Sequence, residues 1–268
     1  MTDVMARIRP WLPGLLLALL VAAAFLAPLP HSPTRPDARA VLQAPSGEHW
    51  LGTDMFGIDV FSRLVRSAAT DVPLALAGML VSLAVGVPVG LLAAQPGRAG
   101  EWMIRVLDVF QAFPLLILAI ATVGLLGNDL RNVVVAVVIL NVPRFIRLVR
   151  AEGLVLREAR YIEAAHAIGA GRGRVMFGHM LPNMTGTVLS QASLAVGNAI
   201  MVIAALSFLG IGLASSDPSW GAMIRAGAEN MSTGQWWVAV FPGLAIFTVV
   251  LCCNALSAAL SPERGVRA

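Results

Sequence analysis

Five stretches of the chain contain no Asp, Glu, Lys or Arg: residues 11–30, 72–97, 109–128, 175–216 and 230–262. Each is long enough to cross a bilayer, which takes about 20 predominantly apolar residues. A buried helix of a soluble domain can mimic one such run, but five of them predict a bundle of membrane-crossing helices. The pattern places spans at Trp11–Leu29, Val72–Ala94, Val106–Leu126, Leu130–Arg150, Thr187–Leu213 and Val238–Leu260. Arg144 and Arg147 fall near one end of the fourth, where an arginine can snorkel to the interface. The stretch 175–216 is too long for one span, so its start, through Asn183, is expected to lie at the membrane surface. The expected fold is therefore an all-α integral membrane protein of six transmembrane helices. Residues 1–71 supply the first helix and an external loop, 72–262 a five-helix core with a cytoplasmic loop at about 151–183, and 263–268 a cytoplasmic tail.

Composition agrees. Hydrophobic residues make up 57% of the chain and charged ones 13%, with mean hydropathy +0.78. A soluble domain carries about 25% charged residues, so lipid must cover most of this surface. All 19 basic residues are arginine. Without lysine there is neither a P-loop, whose lysine reaches the phosphates, nor Schiff-base chemistry. The pI of 10.3 raises the question of nucleic acid. The arginines, however, flank apolar runs, as expected of residues that orient a protein in a membrane. With the N-terminus inside, thirteen arginines face the cytoplasm and six face out, so both termini are expected to be cytoplasmic. Arg7 and Arg9 followed by Ala22-Ala23-Ala24 also resemble a signal peptide, but the apolar run continues to Leu29, long enough to span. Cys252 and Cys253 are adjacent within an apolar run and are expected to be packing side chains, not a disulfide or metal framework.

Between the first two spans, Pro30–Asp71 forms an external loop. Pro30, Pro33 and Pro36 make its start stiff. A turn-rich segment, Glu48–Asp54, then leads to a short amphipathic helix predicted at Val60–Val65.

The cytoplasmic segment Arg150–Asn183 carries the most chemistry. Tyr161, Ala164, Ala165 and Ile168 follow i, i+3, i+4, i+7 spacing and share a helix face. Arg160 and Glu163, on another face with His166, are placed to pair at i, i+3. Gly169 suits a left-handed helix cap, and a second helical stretch, Arg174–Leu181, is expected to stop at Pro182. Composition alone fits equally an amphipathic helix on the inner leaflet, with Arg157, Arg160, Arg172 and Arg174 on anionic lipid.

Spacing favours docking. Glu163-Ala164-Ala165, then Gly169, then Leu181-Pro182 resembles the EAA loop of binding-protein-dependent ABC importers. The resemblance extends along the chain to the C-type permease subunit of the dipeptide, oligopeptide and nickel importer family. It is carried by His49-Trp50-Leu51-Gly52-Thr53-Asp54, Asp108-Val109-Phe110-Gln111-Ala112-Phe113-Pro114, Leu206-Ser207-Phe208-Leu209-Gly210-Ile211-Gly212, Pro218-Ser219-Trp220-Gly221 and Phe241-Pro242-Gly243-Leu244-Ala245-Ile246. The chain departs from the family at Phe56-Gly57-Ile58-Asp59, where Leu-Gly-Arg-Asp is usual. The resemblance implies a type I ABC importer permease fold, MetI-like, without catalytic residues, cofactor or metal of its own. ATP and Mg²⁺ would be used by two ABC ATPase subunits. The implied partners are those subunits, a homologous second permease, an extracytoplasmic solute-binding protein and the lipid bilayer. Peptides are the implied solute, with nickel or another metal chelate or small solute as the alternative.

Polar residues at membrane depth are the candidates for the translocation pathway. Gln191 and Asn198 lie seven apart on one helix face, Asn141 precedes Pro143, and Asn254 shares a face with Ser257. Intramembrane polar groups normally face the bundle interior or a wet cavity. Interhelical hydrogen bonds, or capping of backbone freed by the proline, would explain them equally. Glu163-x-x-His166 has the spacing of carboxylate-bridged metal sites, but the inward carboxylates such a bundle needs are missing from the spans. No His-Glu-x-x-His or Gly-x-Ser-x-Gly occurs, against a metalloprotease or serine hydrolase. An ion-coupled secondary transporter, the rival class, usually places ionisable groups at the midplane, and these spans hold almost none.

Overall fold

The structure, a computed structural model, describes residues 12–212 and 217–261. Trp11, Arg7 and Arg9, Leu213, and the tail with Arg264 and Arg267 lie outside the described residues. Nine helices follow one another among the described residues: α1 (Leu12–Leu26), α2 (Val60–Ala93), α3 (Ala99–Gln111), α4 (Leu115–Leu126), α5 (Leu130–Arg157), α6 (Arg160–Ala167), α7 (Arg172–Phe208), α8 (Trp220–Asn230) and α9 (Trp237–Leu260). Four are long and apolar enough to cross a membrane: α2, α5, α7 and α9. The pair α3 and α4 makes a fifth if its two halves are counted together. The 15 described residues of α1 span roughly 22 Å at 1.5 Å per residue, short of the ~30 Å hydrocarbon core.

Three predicted elements need correction. The expected straight span Val106–Leu126 is two helices bent by 86° at Ala112–Pro114. Pro114 has no N–H and pushes Phe113 out of helical geometry, so the apolar run continues while the helix does not. The expected break between Val60–Val65 and Val72–Ala94 is absent. Asp59 accepts from Ser62 N (2.8 Å) at the N-cap, and one 34-residue helix follows. At roughly 51 Å it outreaches the bilayer core, so Arg63, Arg66 and Asp71 mark where it leaves the lipid, not where it ends. Pro182 does not stop its helix either. Val175–Met180 is π-helical, and Leu181 N donates to Met176 O, five residues back. The widened turn accommodates the proline ring, and α7 runs on to Phe208.

Small residues set the packing. Gly78, Ser82, Gly86 and Gly90 recur every fourth residue along α2 and face α5. A Cβ on Gly86 would lie 2.5 Å from Phe145 Cβ, and one on Gly90 2.7 Å from Val149 Cβ. In lipid no hydrophobic force drives helices together, so close backbone approach and the dispersion it allows must do so. On the other side of the bundle Ser193 Oγ donates to Cys253 O (2.7 Å), Ser190 reaches Ser257, and Gly197 packs on Cys253. Both cysteines are buried and free, as packing side chains.

The loop after α1 folds over one end of the bundle. Asp54 accepts from Phe56 N and Ile58 N and pairs with Arg63 at 3.2 Å; His49 Nδ1 meets Asp59 Oδ1 at 3.0 Å. Trp237 Nε1 donates to Thr53 O (3.1 Å), and Asp71 accepts from Trp220 N (2.9 Å) at the start of α8. The motifs around His49 and Trp220 therefore close one structural cap.

Candidate functional site

At the opposite end, α5 projects beyond the expected Arg150 to Arg157, and α6 follows after Glu158 and Ala159. Ala159 is extended (φ −77°, ψ 138°), which turns the chain into the new helix. At the far end Gly169 stands at φ +82°, with Gly169 N donating to His166 O and Ala170 N to Ala165 O, both 3.0 Å. This is a Schellman cap, and only glycine enters its left-handed position without steric cost. A Cβ on Gly169 would meet nothing within 4 Å, so φ alone accounts for the residue.

The two faces of α6 differ from the sequence expectation. Ile162 (1% exposed) and Ala165 (5%) point into the bundle, onto a cluster that includes Leu91, Phe145, Val149, Met176 and Met180. Tyr161, Ala164 and Ile168 face outward, Ile168 being 87% exposed. Ala165 thus anchors the helix and does not share the outer face, and Ile162 is the anchor that spacing overlooked. Among the described residues Arg160 and Glu163 form no ion pair; both are exposed, as are His166, Arg172 and Arg174. Partial burial pushes the Tyr161 hydroxyl above its ordinary value, which leaves it a neutral donor. Leu181 and Pro182 sit where the π-helical segment joins the remainder of α7, with Leu181 packed at the edge of the same cluster. The loop is thus a hydrophobically anchored hairpin with an apolar outer stripe, ringed by arginines and the carboxylates of Glu158 and Glu163.

Two arginines tie this hairpin to the bundle. Arg150 Nε donates to Ala93 O (3.1 Å) and Arg157 to Ala94 O (3.4 Å), satisfying carbonyls left open at the end of α2. Arg157 also pairs with Glu158 at 3.2 Å. Arg147 pairs with Asp108 of α3.

The pathway candidates separate. Asn141 and Asn198 line one cavity of about 240 Å³ between α4, α5 and α7. Gln191, two turns from Asn198, is half-buried and lies outside that lining. Asn254 is exposed and donates to Val250 O of its own helix (2.8 Å), whereas Ser257 is buried against Ser190. The two are neighbours on the helix but differ in burial.

The described residues thus form a polytopic helical bundle with an anchored surface hairpin. The chain belongs to the family of binding-protein-dependent transport system inner membrane components, whose model matches residues 86–265. It is 40% identical over 247 residues to the dipeptide transport system permease protein DppC of Alkalihalophilus pseudofirmus, covering 90% of this chain and 80% of that one. The glutathione transport system permease protein GsiD of Pectobacterium atrosepticum is 39% identical over 247 residues, covering 91% and 82%. The fold is similar to that of a chain from inward-facing structures of the MetNI methionine ABC transporter. The TM-score is 0.59 at 18% identity, over 75% of this chain and 97% of that one. The chain is thus a multi-pass membrane protein with the type I ABC importer permease fold.

Proposed function

We infer that this chain is one of two permease subunits in an ATP-driven importer of di- or oligopeptides, and that α6 is the element through which ATPase subunits move it. The supporting observation is the division of α6 into a buried anchor, Ile162 and Ala165, and an exposed apolar stripe, Tyr161, Ala164 and Ile168. An exposed apolar stripe on a rigidly capped helix needs a protein partner. Glu163 holds the docked geometry through a charge-assisted contact, and Gly169 permits the sharp return of the chain. Movement of the hairpin is passed to α5 and α7, the spans that flank it in the chain, and these rock between inward- and outward-open states.

The remaining machinery follows from that assignment: a homologous second permease, two ABC ATPases that hold the nucleotide and Mg²⁺, and an extracytoplasmic binding protein that delivers the solute. Both termini and α6 are cytoplasmic. The relatives named for dipeptide and glutathione transport support a peptide solute for this chain. In the reconstituted complex, Glu163→Ala and Gly169→Val keep ATP hydrolysis and assembly but lose most peptide uptake. Uptake by wild type stops with vanadate and survives collapse of the proton gradient. Wild-type uptake rates in both variants would remove α6 from the mechanism.

A further inference from the structure

α5 carries four arginines from Arg144 onward, and three of them have partners. Arg147 has Asp108, Arg150 has Ala93 O, and Arg157 has Ala94 O and Glu158. Arg144, one turn past Asn141 and directly after Pro143, makes neither a hydrogen bond nor an ion pair among the described residues. It lines the 240 Å³ cavity with Asn141 and Asn198, and it also lines an adjoining cavity of about 410 Å³ under the α3–α4 bend. Leu115 and Leu140 are shared by the two cavities, and Met201 adds to the apolar wall of the first. Arg144 is half-buried, near the end of its span, and its guanidinium is free to pair with an anion that enters the cavity.

The neighbouring amide has the complementary deficit. Asn141 is 3% exposed and its Nδ2 donates to Val137 O (3.0 Å), which leaves Oδ1 buried without a donor. Asn198, on α7 across the cavity, has no side-chain hydrogen bond within the described residues. A ligand that satisfies this set must bring an anion for Arg144 and, close beside it, an N–H for Asn141. A lipid headgroup brings the anion as phosphate, and any ammonium N–H it carries sits on a flexible linker and not fixed beside the anion. The last unit of a peptide brings both, because its carboxylate and its amide N–H are separated by a single Cα.

We propose that Arg144, Asn141 and Asn198 form a subsite for the C-terminal unit of the transported peptide. The Arg144 fork takes the carboxylate in paired hydrogen bonds, Asn141 Oδ1 accepts the final amide N–H, and the rest of the peptide extends into the adjoining cavity. This rests on the peptide reading above.

The test uses the complete importer in proteoliposomes, with binding protein preloaded to saturation with a tripeptide as free acid or as C-terminal amide. Arg144→Gln lowers the ratio of acid to amide uptake by about tenfold or more, the loss of one charge-assisted contact. Arg144→Lys, which keeps the charge but not the fork, lowers the same ratio by a smaller factor; it decides the matter if the glutamine variant fails to assemble. A ratio that stays at the wild-type value in the assembled variants overturns the subsite, whether or not both rates fall, and leaves the peptide reading standing. Wild-type vesicles that import neither peptide overturn the peptide reading and the subsite with it.

Discussion

At the residue scale, α6 depends on one large side chain. Ile162 is almost fully buried among Leu91, Phe145 and Met180, while its neighbours Tyr161 and Glu163 lie at the surface. Truncating such a residue costs about 2–5 kcal/mol, and for a helix of 8 residues that loss is local. Ile162→Ala should therefore accelerate hydrogen exchange across Arg160–Ala167 and leave α2 and α5 protected. Uniform acceleration through the protein would show that Ile162 supports the bundle as a whole instead. Gly169→Ala tests the other end of the same helix. Its φ of +82° costs an alanine about 1–2 kcal/mol, while the space around it is open, so backbone strain is the only penalty. Asn, which tolerates that conformation, should restore most of the uptake that Ala loses. Gly169 was legible in the sequence because its role is local. Ile162 was not, because Ile162 and Tyr161 are both apolar residues of one short helix and only the bundle determines which of them turns inward.

At the element scale, the α2–α5 contact is the seam that the hairpin hangs from. Alanine normally stabilises a helix interior relative to glycine by roughly 0.5–1 kcal/mol. At Gly86 the sign must reverse, because the new Cβ would sit 2.5 Å from Phe145 Cβ and 3.2 Å from Val142 O. Overpacking of this kind costs about 1–3 kcal/mol. Gly243→Ala in α9, where nothing lies within 4 Å, should keep or raise the melting temperature in detergent, whereas Gly86→Ala should lower it. Equal shifts from both would mean that α2 and α5 pack less closely than described. The spacing Gly86-x-x-x-Gly90 and the pair Phe113-Pro114 stand in the sequence, but the pattern of apolar runs marks neither as a packing seam or a break. Hydropathy alone hid both, since it measures what lipid will accept and not where a helix bends or touches. The lengths of α2 and α5 were hidden for the same reason. Arg63 and Arg66 precede the apolar run of α2 and Arg150 ends that of α5, yet each lies within a continuous helix.

At the scale of the whole molecule, the structure has two unlike ends, and the mechanism requires them on opposite sides of the membrane. One end is the cap of Asp54, Asp59, Thr53 and Trp220, closed by hydrogen bonds between distant segments. The other is the arginine-rich hairpin, with its exposed apolar stripe. In the proposed mechanism the excess of arginine at the hairpin end places it in the cytoplasm, where a nucleotide-driven partner would meet it. Two glycines offer a direct check, because Gly47 in the loop after α1 and Gly171 beside α6 have nothing within 4 Å of an added Cβ and tolerate cysteine. With Cys252 and Cys253 replaced by serine, a membrane-impermeant maleimide should label Gly47→Cys in intact cells. Gly171→Cys should be labelled only after the membrane is opened. Labelling of Gly171→Cys from outside would place α6 beyond the reach of any cytoplasmic ATPase. The anchor at Ile162 would then serve packing alone, and the Arg144 cavity would lose the nucleotide-driven cycle that is meant to open it.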